Sequence, residues 1–147
     1  MPQIEDFTVK ELVRYEITEL FERGNVDVVD ELYADGVRVG IRRTGSDEPI
    51  ASRRDIRALF GEWHEAFPDL NVDINSEVIE DDTVVAHVTL YGTHEGEFRG
   101  IDPTGNRISV DMFHQRRVRD GEIVEAVSMV EMGELLRQLD VELPLQV

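Results

Sequence analysis

Val9, Leu12, Val13, Ile17, Leu20 and Phe21 recur at the three- and four-residue spacing that gathers apolar side chains on one side of a helix. Thr8 and Glu11 have the spacing of a capping box, and Gly24-Asn25 ends the run. A short second helix is expected around Val28, Val29 and Leu32, with Tyr33 near its end. Ala34-Asp35-Gly36 then turns into a strand at 37–43, and 44–51 reads as a loop carrying Gly45 and Pro49. Ser52 and Asp55 open a third helix, with Ile56, Leu59, Phe60, Trp63 and Phe67 on one face and Pro68-Asp69 after it.

Beyond Leu70 the period changes to two. Val72, Ile74 and Val78 mark one strand, Asp81-Asp82 a turn, and Val84, Ala86, Val88 and Leu90 one face of a longer strand. A polar loop occupies 95–106. Ile108, Val110, Met112 and His114 mark the next strand, Asp120-Gly121 a hairpin, and Val124, Ala126, Ser128 and Val130 the last. Leu135, Leu136 and Leu139 end the chain in a short helix. This order predicts one α+β domain over 1–147, with helices on one face of a curved antiparallel sheet and a small-molecule cavity between the layers.

The hairpin has two registers. A two-residue loop sets His114 opposite Val127; a three-residue loop with a glycine bulge sets it opposite Ser128. The second gathers Met112, His114, Arg116, Val124, Ala126, Ser128 and Val130 on the more apolar face and is preferred. It leaves Phe113, Ile123, Val127 and Met129 on the other face, a mixed surface suited to self-association. A histidine in such a pocket can exchange a proton near neutral pH. Arg116 beside it needs a carboxylate partner or holds an anionic substrate group.

The chain carries 32 acidic and 15 basic side chains, net −17, and its one lysine is Lys10. The acids are spread without a long run, which predicts a solvated, salt-tolerant surface of the kind found in salt-accumulating microbes. No basic stripe is present for nucleic acid, and no apolar run is long enough to span a membrane. The absence of cysteine removes thiol chemistry, and no histidine has metal-ligand spacing, so no metal or cofactor is expected. Residues 1–6 lack a basic region followed by an apolar core, so a cytoplasmic location is expected.

Trp63 followed by Ala66-Phe67-Pro68-Asp69, Gly92-Thr93-His94 with Gly96, and Gly100 with Pro103-Thr104-Gly105 stand in a recognisable order. Asp120-Gly121-Glu122-Ile123-Val124-Glu125 and Leu135-Leu136-Arg137-Gln138-Leu139 complete it. With these marks, over about 8–140, the chain resembles the SnoaL-like polyketide cyclases, of the nuclear transport factor 2-like and ketosteroid-isomerase-like fold. The resemblance implies a cone-shaped barrel with an internal pocket for a small hydrophobic molecule, assembled as a homodimer or homotetramer. It also implies ring closure by aldol condensation without metal or cofactor, a pocket Asp taking the proton and a pocket His stabilising the enolate.

Aligned on the Asp-Gly turn, the family's His falls on His114 and its Asp on Ser128, which is no base unaided. His114 itself, Glu131 or Asp111 then supplies the base, or the domain binds without catalysis; isomerase and epoxide hydrolase chemistry are further alternatives. Trp63, Met112, Arg116, Ala126, Val130, His94 and Tyr91 complete the candidate site. A carboxylate within hydrogen-bond reach of His114 would support catalysis. Ser128 among apolar walls alone would favour binding.

Overall fold

The computed structural model describes residues 6–39 and 52–142. Helix α1 (Val9–Glu16) opens with the expected capping box, Glu11 N–H donating to Thr8 Oγ1 at 3.2 Å and Thr8 N–H to Glu11 Oε1 at 3.1 Å. It runs on as a wider π turn, Ile17–Glu22, in which Arg23 N–H reaches back five residues to the Thr18 carbonyl. After a short 3-10 turn, α2 (Val29–Leu32) leads directly into β1 (Tyr33–Val39). The strand therefore starts four residues before its expected position, and the expected 40–43 continuation and 44–51 loop lie outside the described residues. Ser52 caps α3 (Arg53–Ala66), whose Ile56, Leu59, Phe60, Trp63 and Ala66 are buried.

Strands β2 (Asn71–Glu80), β3 (Thr83–Thr93), β4 (Arg107–Arg119) and β5 (Glu122–Val130) form an antiparallel meander, and α4 (Met132–Gln138) follows. The sheet order is β1-β5-β4-β3-β2. The all-antiparallel expectation needs correcting at one edge, where β1 runs parallel to β5. Alternation of apolar residues carries no strand direction; the long connection through α3 and the meander supplies the crossover that a parallel pair requires. The result is a curved, unclosed, mixed sheet with the N-terminal helices on its inner face.

His114 pairs with Ser128, the preferred register, but by another route. The loop has two residues, Asp120 (φ +51°) and Gly121 (φ +76°), with Arg119 paired to Glu122 and Val118 to Ile123. The shift comes farther down, between Arg117–Glu125 and Val118–Ile123, where Val124 is the unpaired extra residue of a bulge. One consequence corrects the expected outer face. Ile123 is fully buried beside Val118, and Val124 is only half-buried. A second bulge, at Asn75, turns Val78 out to solvent although Val72 on the same strand is buried.

The loop after β3 is pressed onto the end of α3. Glu95 and Gly96 both donate to the Ala66 carbonyl, and a Cβ on Gly96 would lie 2.0 Å from the Glu65 carbonyl oxygen. Only glycine allows that approach. Among the described residues no helix is long and apolar enough to cross a membrane.

A buried ionic cluster beside an apolar pocket

Glu16 is one turn on from Leu12 and one turn before Leu20, on the face of α1 that enters the core, and no part of it is exposed. Its two oxygens accept from three donors. His114 Nε2 lies 2.8 Å from Oε1, Arg116 Nε donates to Oε2 at 2.8 Å, and the Tyr33 hydroxyl also donates to Oε2. His114 and Arg116 come inward from alternate positions of β4, while Tyr33 comes from the first residue of β1. Arg116 continues the network outward, its Nη1 donating to the Gln115 and Val127 carbonyls and to Ser128 Oγ.

Burial alone would raise the Glu16 carboxyl, but the charge of Arg116 and the donors around it outweigh that and hold it at about 2. Glu16 is therefore ionised and only accepts. Burial pushes His114 below its ordinary range, and the neighbouring Arg116 charge pushes it the same way against the pull of Glu16. Near neutral pH His114 is thus uncharged with its proton on Nε2, facing Glu16. Its Nδ1 then carries a lone pair, buried and without a hydrogen-bond partner among the described residues. Tyr33 is raised well above its ordinary value by burial and by Glu16, so it stays a phenol.

Beside the cluster is a cavity of about 370 Å³. Phe21, Leu59, Phe60 and Trp63 form its helical wall, Leu90, Met112, Ser128 and Val130 its sheet wall, and Arg116 and Arg99 bring charge to it. His114 is one layer behind that wall, its ring edge-on to Phe21 with centroids 5.5 Å apart. The structure thus brings Trp63, Met112, Arg116, Ser128 and Val130 together on the wall, with His114 behind them. Ala126 is buried opposite Arg116 in the sheet but is not a wall residue.

The other candidates stand apart. Asp111 is on the outer face, accepting from Thr89 Oγ1 at 3.0 Å and 3.4 Å from His87 Nε2. Glu131 is exposed at the start of α4, where its side chain accepts from the Asp111 N–H. Tyr91 lies on the outer face, in a separate shallow groove with Asn71 and Ser109. His94 is buried against Phe67, and its Nδ1 accepts from the Thr104 N–H at 3.1 Å, which ties down the 95–106 loop. Among the described residues no three His, Asp or Glu side chains come close enough to share a metal ion.

Sequence reasoning missed Glu16, Tyr33 and Arg99. A signal for Glu16 was present: a carboxylate inside the stripe Leu12, Val13, Ile17, Leu20 must find a buried cation.

Comparison with known proteins gives the same architecture. A family model described as SnoaL-like polyketide cyclase matches residues 11–139. AclR from Streptomyces galilaeus, a candidate hydroxylase, is 28% identical, covers 94% of this chain and 88% of its own, and superposes with a TM-score of 0.79. IdmH from Streptomyces antibioticus, a candidate polyketide cyclase, is 26% identical over 92% of this chain and 100% of its own, TM-score 0.80. A SnoaL-like protein from Jannaschia sp. CCS1, 23% identical over 92% and 93%, shares the fold with a TM-score of 0.80. A search of curated proteins found no match. With 11–139 matched to the family and the same fold in its relatives, the chain belongs to the SnoaL-like polyketide cyclase family.

Proposed function

We propose that the protein is a cofactor-independent enzyme that removes a proton alpha to a carbonyl of a small, largely apolar molecule held in the cavity. The observation that carries this reading is the Glu16–His114 pair. A buried carboxylate fixes the imidazole tautomer and leaves Nδ1 as a bare acceptor beside the pocket. A carboxylate within hydrogen-bond reach of His114 supports catalysis, and here α1 supplies it.

In the proposed step the Cα–H bond breaks, its proton passes to His114 Nδ1, and the electron pair moves onto the carbonyl oxygen. The imidazolium faces Glu16, and the enolate oxygen faces the Arg116 guanidinium, a fixed charge at the wall. For a cyclase, the enolate carbon then attacks a second carbonyl of the same molecule, and the new alkoxide recovers the proton from His114. For an isomerase, the proton returns to a different carbon. Ser128 accepts from Arg116 and no hydrogen bond joins it to His114, so it serves as a wall and positioning group. The different activities ascribed to AclR and IdmH support leaving the later step open. Because His114 lies behind Phe21, its access to substrate requires that ring to move aside.

Proton–deuterium exchange tests the shared first step without requiring ring closure. A β-ketoester of polyketide type in deuterated buffer should lose its α-proton signal faster with protein than without. His114→Gln keeps a donor toward Glu16 but has no base, and should lower the enzymatic rate by ~10²–10⁴-fold. Equal exchange by the native chain and this variant, with binding intact in both, would leave a ligand-binding module as the better reading. Self-association belongs to the same proposal, with the outer face of Phe113 and Met129, both largely exposed, as the contact.

A further inference from the structure

The pocket has a second charge, which the proton-transfer reading does not use. Phe98 and Ile101 close a two-residue turn on each other, with N–H to carbonyl distances of 3.0 and 2.9 Å, and Arg99-Gly100 forms the tip. Both tip residues have positive φ, +49° and +84°. Two other hairpin tips among the described residues place an aspartate at the corresponding position, Asp81 at +53° and Asp120 at +51°. Asp suits that backbone and Arg does not, so the arginine is strained there.

The turn is also anchored. Phe98 is fully buried, with its ring 5.2 Å from Trp63 and 5.6 Å from Phe67, and Gly96 is clamped against α3. Arg99 lies over the Phe98 ring at 5.0 Å, and its Nε donates to Glu62 on α3 at 2.6 Å. Neither Nη has a hydrogen-bond partner among the described residues, and the side chain is 22% exposed while lining the cavity. Among the described residues the cavity wall holds two arginines and no carboxylate, in a chain where acids outnumber bases by 32 to 15.

We propose that Arg99 is an anion-recognition site at the solvent side of the pocket, and that the ligand is an amphipathic acid. Its apolar body lies against Phe21, Trp63 and Met112, and its carboxylate or comparable anion accepts from the Arg99 Nη groups. Arg116 is tied inward to Glu16, whereas Arg99 keeps its outer nitrogens for a ligand. The net charge of −17 repels an anion at long range, so a fixed cation at the entrance is what makes binding of one favourable. The inference rests on the cavity being the ligand site, as the function proposed above also requires.

Matched pairs separate the two ideas. Phenylalkanoates of rising chain length are titrated beside the corresponding neutral phenylalkanamides, by calorimetry and by the emission of Trp63, the chain's one tryptophan. The acid should bind about tenfold more tightly than its amide at low ionic strength. Arg99→Gln should bring that ratio to about one, while Glu62→Gln, which frees Arg99, should raise it. Equal affinities for acid and amide in the native protein overturn the Arg99 proposal and leave the pocket reading standing. Binding of neither, at any chain length, overturns both. A preference that survives Arg99→Gln places the anion elsewhere and also overturns the proposal. If Arg99→Gln weakens the amide as well, Glu62→Gln decides, and an unchanged ratio there counts against it.

Discussion

Glu16 has no access to water, and three donors converge on its two oxygens. Replacing it by Gln keeps the shape but leaves Arg116 as a buried charge without its counter-ion. Such a break typically costs about 3–5 kcal/mol, whereas replacing both partners by apolar residues costs far less. Urea unfolding should therefore rank Glu16→Gln well below the Glu16→Met/Arg116→Met double variant in stability.

The same cluster sets a pH response. His114 is depressed in the folded chain, so as pH falls below about 6.5 the unfolded chain takes up that proton first and stability drops. Glu16 is also depressed, and its contribution is lost as pH falls through about 4.5 toward about 2. His94, lowered by burial, adds to the upper step. Urea midpoints across pH 7 to 3 should fall in two stages, and His114→Gln should shrink the upper one more than the lower. His114 was legible as an inward residue because its strand alternates, and Arg116 was legible as needing a carboxylate. Which carboxylate was not legible, because the partner comes from another element 98 residues away from His114.

At the scale of elements, the β4–β5 hairpin shows where pattern reading stops. Apolar alternation identified both strands and the residue facing His114. It misplaced Ile123, because a bulge at Val124 changes the phase partway along β5. Deleting Val124 would remove the extra residue and leave His114 opposite Ser128 in one continuous two-residue hairpin. The row around Ser128 then stays on the inner face, so the urea midpoint should fall far less than it does for Glu16→Gln. The direction of β1 was similarly hidden, since it depends on a connection and not on local sequence. In contrast, Thr8, Ser52, Asp81 and Asp120 act through neighbours a few residues away, and their caps and turns were readable. Gly96→Ala tests the loop clamp: its Cβ would meet the Glu65 carbonyl, and a loss of about 1–3 kcal/mol is expected in urea unfolding.

For the whole molecule, 32 acids against 15 bases make the folded state repel itself. Raising salt from ~0.01 M to ~1 M shortens the screening length from about 30 to about 3 Å, so Tm should climb over that range. A flat or falling Tm would show that long-range repulsion is not what limits stability. The exposed Phe113 and Met129 test association separately: Phe113→Glu should shift the mass in light scattering toward the 16.8 kDa monomer.

The Glu16–Arg116 contact spans 100 residues of chain, from the first helix to the fourth strand. Closing a loop of that length is entropically unfavourable, and nothing local holds the two groups together beforehand. The ion pair should therefore form after the folding transition state, once α1 and the meander have docked. In a chevron experiment Glu16→Gln should then accelerate unfolding and leave the folding limb nearly unchanged. The charge cluster would act as a latch on an already assembled fold, governing how long the native state persists and not how fast it is reached.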